Sequence, residues 1–282
     1  MALTVRHPQQ ALGPGHEREW KKYFDRRHNR LVYLGEVADQ RYWDRYWLDQ
    51  ADRISYGMRI PDRNVILAKV REHLPKGSLV LEGGSGLAQQ SWYLSKLGFD
   101  PVALDYAGTT LATVRRRIPE VRPVRGSVFD LPFQDRAFDG YLSLGVIEHY
   151  YDGFDRAAQE MVRCLRTEGL LFLTFPHMSR LRRLKALAGC YSPWPGSATS
   201  PADFYQFVLD DRRVRERYER LGFRCVEAVR FLGATGLENE VPGIRKVMNE
   251  LNRFSKKFRI LVDLTGRWFC SHCILLVLRK QS

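Results

Sequence analysis

From residue 79 onward, short apolar runs alternate with stretches of helical period. Leu79-Val80-Leu81 reads as a strand. Ala88 to Leu97 is helical and Gly98 stops it, Val102-Ala103-Leu104 is a second strand, and Ala107 to Arg117 is a helix that ends near Pro119. Val121 to Val124, Phe138 to Leu144 and Leu170 to Phe175 are three further strands, with a helix from Asp155 to Leu165 before the last. After Pro176 a helix near 208–221 leads through Gly222 to a strand from Phe223 to Phe231. Residues 232–269 read as an insertion, a loop followed by a basic amphipathic helix at about 243–260, and Cys273 to Leu278 is a buried strand. Seven short strands alternating with helices predict an α/β fold: a doubly wound, mostly parallel Rossmann-like sheet covered on both faces.

Ahead of this sheet the pattern is helical at about 17–30 and 36–50, and Pro61 opens a helix from Asp62 to about His73 that buries Val65, Ile66 and Val70. The first 16 residues, with Pro8 and Pro14, read as a frayed terminus. The 36–50 helix places Tyr42, Trp43, Tyr46 and Trp47 on one face. That stripe is either core packing or a cover over a ligand. The expected organisation is a helical cap over residues 1–77 and a sheet domain over 78–282, with insertions at 177–210 and 232–269.

Composition narrows the class. The chain has 282 residues, of which 44% are hydrophobic and 27% charged, which is globular rather than disordered. No apolar run has the length of a membrane span, and the first residues lack a secretory apolar stretch. Five cysteines are too few and odd in number for a disulfide framework, so reduced thiols and a cytoplasmic setting are expected. A single Cys270-x-x-Cys273 without a partner pair gives no metal site. The net charge is +13 and sits at the flanks: residues 176–282 hold 20 Lys and Arg against 10 Asp and Glu. Such a surface is read first as solvation, with loose attraction to nucleic acid or an anionic membrane as the alternatives.

The chemistry concentrates in Glu82-Gly83-Gly84-Ser85-Gly86, at a strand-to-helix junction where open α/β sheets bind ligands. The third glycine of a dinucleotide fingerprint is missing (Gln89 stands there), and a phosphate loop's Gly-Lys-Ser/Thr is absent. Glu82 beside the glycines disfavours a pyrophosphate and favours a ligand with positive charge. Asp105, 21 residues beyond Gly84 at the end of the second strand, has the position of a ribose-binding carboxylate. Ribose, a cationic moiety and no pyrophosphate together describe S-adenosylmethionine.

The stretches LVLEGGSG at 79–86, PVALDYA at 101–107, VRGSVFDLPFQDRAFDGYLSLGVIEHY at 124–150 and EMVRCLRTEGLLFLTFP at 160–176 resemble, in order and spacing, the class I S-adenosylmethionine-dependent methyltransferases. The similarity is greatest to the type 11 branch that includes the ubiquinone and menaquinone biosynthesis enzymes. It covers about a third of the chain, and residues 204–225 also resemble the region after the fifth strand of bacterial members. It implies that Glu82, Gly84 and Gly86 lie under the methionine and ribose, that Asp105 binds ribose, and that Tyr106 lies by the adenine. Ser127 and Val128 stand where the family has an adenine-binding Asp and a small residue; the serine is a departure, with Asp130 nearby. Ala88 replaces a frequent glycine, and Gly145 would present backbone near the methionine end.

Transfer to a hydroxyl needs a base, and His149, after Glu148 at the end of the fourth strand, is the candidate, with packing as its other reading. His177 is a lesser one. Tyr42, Trp43, Tyr46, Tyr150, Phe204 and Tyr205 are the candidate substrate walls, joined by Tyr151 and Phe207. The expected activity is methyl transfer to an oxygen or nitrogen of a small molecule. No Asn/Asp-Pro-Pro-Tyr/Phe motif or RNA-binding module supports a nucleic-acid substrate. RNA and lipid-linked or glycan substrates at a membrane face remain the alternatives, the latter through Arg245, Lys246, Arg253, Lys256, Lys257 and Arg259. The oligomeric state is open.

Overall fold

The computed structural model describes residues 20–51, 64–197, 200–254 and 256–281. The expected frayed terminus and the helix start at Pro61 and Asp62 lie outside these residues. Where a helix was expected over 17–30, the described part is a β-hairpin instead, β1 (Lys21–Asp25) and β2 (Arg30–Leu34). Its turn explains the difference. Asn29 adopts φ 50°, which a helix does not allow, and Asp25 accepts hydrogen bonds from the backbone of His28 and from the Arg30 side chain.

Helix α1 (Gln40–Ala51) follows, its start capped by Asp39, whose carboxylate accepts the Tyr42 N–H at 2.8 Å. Helix α2 (Val65–His73) is capped by Asn64, which accepts from Ile66 and Leu67. Strand and helix then alternate: β3 (Leu79–Gly83), α3 (Gln89–Lys96), β4 (Asp100–Asp105), α4 (Gly108–Arg117), β5 (Arg122–Arg125), β6 (Phe138–Leu144), α5 (Asp155–Cys164) and β7 (Leu165–Pro176). The rest comprises α6 (Arg180–Leu187), β8 (Ser192–Pro193), β9 (Phe204–Val208), α7 (Asp211–Arg220), β10 (Phe223–Phe231), α8 (Gly233–Glu240), α9 (Ile244–Phe254), α10 (Lys256–Gly266) and β11 (Cys273–Lys280).

The main sheet has seven strands in the order β10-β11-β7-β6-β3-β4-β5. β11 runs antiparallel to both its neighbours and the other six strands run one way. Val70, Trp92, Leu94 and Val114 cover one face and Met161, Val214 and Tyr218 the other, as the doubly wound reading requires. A second sheet, β8-β1-β2-β9, was not foreseen. It joins the hairpin to the 177–210 insertion, and the parallel bridge His177–Leu209 ties it to the end of β7. The loop expected after residue 232 is helix α8. Its first N–H groups are capped from afar, by Asp263 of α10 accepting from Ala234 at 2.9 Å. A Cβ on Gly236 would overlap the Cys270 carbonyl, so its two glycines mark close packing, not a loop.

Candidate functional site

Strand order reverses between β3 and β6, and the candidate residues gather beyond the carboxyl ends of these strands. After β3 the chain turns back on itself: the N–H groups of Gly84 and Ser85 both donate to Leu104 O, at 2.8 and 2.9 Å. Gly84 and Gly86 have φ of 76° and 50°, and a Cβ on Gly84 would press to 2.7 Å from Val146. Ala88 holds φ 52° without glycine's freedom, the strained counterpart of the family's glycine.

Asp105 is buried at the tip of β4, one oxygen accepting the Gly86 N–H at 2.8 Å and the other the Ala107 N–H at 2.9 Å. Burial raises its pKa, opposed by these backbone donors. Each oxygen keeps a lone pair for a further donor. Glu82 reaches under the loop to α3, accepting the Ser91 N–H at 2.9 Å and its hydroxyl. Tyr106 is half-buried and its carbonyl faces Gln40 of α1. Ser127 is exposed, its hydroxyl accepting the Phe129 N–H, and Asp130 is exposed in the same turn; Val128 is buried. Gly145, with φ 71°, ends β6 by donating to Thr174 O.

His149 lies in a turn of 3₁₀ helix, Ile147–His149. Its Nδ1 is 2.8 Å from the Tyr205 carbonyl, which only accepts, so Nδ1 carries the proton and Nε2 keeps a lone pair. Burial pushes its pKa down to about 4, so the ring is neutral at physiological pH. Trp43 and Tyr205 meet its ring edge-on, at 5.0 and 5.2 Å. Trp43 stacks on Trp47, and the Trp47 indole stands against Gly86 so closely that a Cβ there would overlap it. An unbroken series of contacts thus runs from the glycine loop to His149. Helix α1 supplies this bridge and is pinned over the crevice by Thr110 to Asp44 and Arg117 to the Ala51 carbonyl.

Tyr42 and Tyr46 are buried against Tyr205, so that side of the aromatic stripe is core, while Trp43 and Trp47 on its other side are half-buried. Tyr150 is half-buried, packed on Phe129 at 4.4 Å. Phe204 points away from this group, into the main core with Tyr151 and Phe207. His177 is also elsewhere, its Nε2 against the Ser271 hydroxyl. Cys270 donates to the carbonyls of Gly233 and Gly266.

One buried group escaped the sequence reading, although it adjoins His149. Glu148 is fully buried and neither carboxylate oxygen has a hydrogen-bond partner. Burial pushes its pKa up to about 8, and that of Glu82 to about 7. Both lie above the 4.5 of a free glutamate, so the folded chain holds protons that the unfolded chain releases. Their contribution to stability is complete below pH 4.5 and is lost as pH rises through about 7 and 8. Glu148→Gln is therefore expected to stabilise the protein by about 1–3 kcal/mol above the folded-state pKa and to change little near pH 5. Urea denaturation of both proteins at the two pH values checks this, and an equal effect at both would contradict it.

The glycine cradle, the Asp105 carboxylate and the buried Ser85 hydroxyl, which has no partner, fit a ligand with ribose hydroxyls and a polar amino-acid end. Residues 81–173 match the family model described as a methyltransferase domain. A probable S-adenosylmethionine-dependent methyltransferase of Mycobacterium tuberculosis (strain H37Rv) is 34% identical over 98 residues, 35% of each chain. A phthiotriol/phenolphthiotriol dimycocerosates methyltransferase of Mycobacterium ulcerans is 34% identical over 102 residues, 35% of this chain and 37% of that one. These matches thus span about a third of each relative's length. Among solved structures, the 1,6-didemethyltoxoflavin-N1-methyltransferase of Burkholderia thailandensis superposes with a TM-score of 0.53 at 17% identity, covering 93% of this chain and all of that one. That likeness establishes the fold.

Proposed function

From the premise that residues 81–173 are a class I S-adenosylmethionine-dependent methyltransferase domain of the type 11 branch, we propose that this chain transfers a methyl group to an oxygen or nitrogen of a small organic acceptor. What supports the reading is the series of contacts from Gly86 through Trp47 and Trp43 to His149, which links the glycine loop to a candidate proton acceptor through two indole rings. When bound, S-adenosylmethionine supplies an electrophilic methyl on a positively charged sulfur.

In this reading Asp105 accepts from the ribose hydroxyls, Gly84 and Gly86 admit the cofactor close to the backbone, Tyr106 and Val128 flank the adenine, and Gly145 borders the methionine end. Ser127 offers the adenine amino group a neutral oxygen. Trp43 and Tyr150 hold the acceptor, with the fully buried Tyr205 packed behind them, and the exclusion of water orients its lone pair and strengthens its polar contacts. His149 Nε2 receives the acceptor's proton. A hydroxyl becomes strongly acidic as it takes the methyl, so a ring with a pKa of about 4 suffices. The soluble, cytoplasmic setting belongs to the same proposal; among the described residues no helix is long and apolar enough to cross a membrane.

Calorimetry with S-adenosylhomocysteine tests the cofactor site. The wild type is expected to bind it and Asp105→Ala to bind about 10–100-fold more weakly, because stranded ribose hydroxyls and a released Gly86 N–H cost about 1.5–3 kcal/mol. Unchanged affinity in a folded variant would remove Asp105 from the site.

A further inference from the structure

Helices α9 and α10 and the turn after them present an apolar face to solvent. Lys257, Leu261, Leu264 and Trp268 are exposed at intervals of four, three and four residues, one stripe along α10 and its turn. Leu261, Leu264 and Trp268 are each more than half exposed, at 56%, 52% and 56%, unusual for side chains of this size. Val247 and Leu251 face outward on α9 while its Met248 is buried. The face continues onto α6, where Leu184 and Leu187 are exposed and the Leu181 N–H donates to Phe269 O at 2.9 Å.

The charge around this face is predominantly positive. Residues 244–269 carry seven Lys and Arg against Glu250 and Asp263 alone, and Asp263 is turned inward to cap α8. Arg245, Lys246, Arg267 and, on α6, Arg180 are exposed at its margin. The guanidinium groups of Arg267 and Arg230 lie 5.6 and 5.8 Å from the Trp268 ring centre, holding the indole at the surface. A leucine stripe, a tryptophan at its end and a cationic border match a bilayer interface: the apolar side chains enter the acyl boundary, the indole sits among headgroups, and the cations meet lipid phosphates.

We infer that this face docks the protein on an anionic lipid bilayer. The inference stands whether or not methyl transfer is the reaction. Its position adds a consequence. β10 is parallel to β3 and β6, so the segment leaving its carboxyl end emerges on the same end of the sheet as the glycine loop and His149. Docking through this insertion therefore engages the end of the sheet that carries the candidate site.

Flotation of the full chain with vesicles tests the inference. Binding is expected to vesicles of phosphatidylglycerol and phosphatidylcholine in equal parts, to be released by high salt, and to be at least tenfold weaker on phosphatidylcholine alone. Leu264→Ser with Trp268→Ser, and separately Arg245→Glu with Lys246→Glu, are each expected to weaken binding at least tenfold. Both variants change exposed side chains, and unchanged calorimetric binding of S-adenosylhomocysteine by a folded variant separates this result from failure of the cofactor site. Three results would overturn the inference: no flotation of the wild type, undiminished flotation of both variants, or self-association in light scattering that the Trp268 variant abolishes while lipid binding is absent.

Discussion

His149→Ala is expected to lower turnover on an acceptor hydroxyl by about 10²–10⁴-fold, with the affinity for S-adenosylhomocysteine near that of the wild type. The ring is fixed by two independent features. The Tyr205 carbonyl takes the Nδ1 proton, and Trp43 and Tyr205 confine the imidazole edge-on, so Nε2 has one direction in which to accept. Alanine removes the acceptor and leaves the Tyr205 carbonyl without its partner. His149→Asn separates the two effects, since its amide nitrogen stands where Nδ1 stood and restores a donor to Tyr205 but is not a base; it should recover stability without recovering turnover. The wild-type rate should also show no loss with the ordinary histidine midpoint near pH 6.5, because a ring with a pKa of about 4 gains no proton there. A rate that halves near pH 6.5 would mean an ordinary, exposed histidine, and near-normal turnover of His149→Ala on its own acceptor would make the residue a packing element.

Arg182→Met should destabilise the fold by about 3–5 kcal/mol, since it leaves a buried carboxylate short of its main partner. Arg182 is wholly buried on α6. It donates to Glu240 Oε1 at 2.9 Å, to the His177 carbonyl at 2.8 Å and to Nδ1 of His272 at 2.8 Å. Glu240, the last residue of α8, also accepts from the Tyr191 hydroxyl at 2.6 Å and the Lys185 ammonium at 3.0 Å. Burial alone raises the Glu240 pKa, but Arg182, Lys22 and the Tyr191 bond hold it down at about 2. Stability from this group is present above the unfolded value of 4.5 and is lost as pH falls through about 2, so acid should narrow the gap between wild type and variant. Denaturation of Arg182→Met, Glu240→Gln and the double variant checks the coupling. A double variant whose loss equals the sum of the single losses would show that the two side chains stand independently.

Sequence pattern carried the main sheet well because its strands are short apolar runs whose partners follow in regular alternation; the strands Phe138–Leu144 and Phe223–Phe231 match the structure residue for residue. The second sheet was hidden for a physical reason. Lys21–Asp25 holds two lysines and an aspartate and reads as a polar helix, while its pairing with Arg30–Leu34 depends on one left-handed residue, Asn29. Helix α8 was hidden because its cap, Asp263, lies on another helix. In the candidate site the loop, Asp105 and His149 follow from local motifs. The bridge through Trp43 and Trp47 needs the third dimension, since no spacing says that a helix ahead of the sheet lies across its far end. Glu148 and the Arg182–Glu240 pair belong to the same class: a charge in an apolar setting is visible in a sequence only when its surroundings are.

The indole of Trp47 on Gly86 bears on timing. The space that a Cβ on Gly86 would fill is already taken by a side chain of α1, which is itself pinned by Thr110–Asp44 and Arg117–Ala51. In the proposed reaction, a cofactor lying on Gly86 would require that helix to yield by at least the thickness of an aromatic ring, about 3.5 Å of van der Waals contact. That movement would then recur at entry and at exit, whatever the acceptor. Under the proposed reaction, cycles with easy and difficult acceptors are expected to converge on one maximal rate, set by release of the Trp47 anchor.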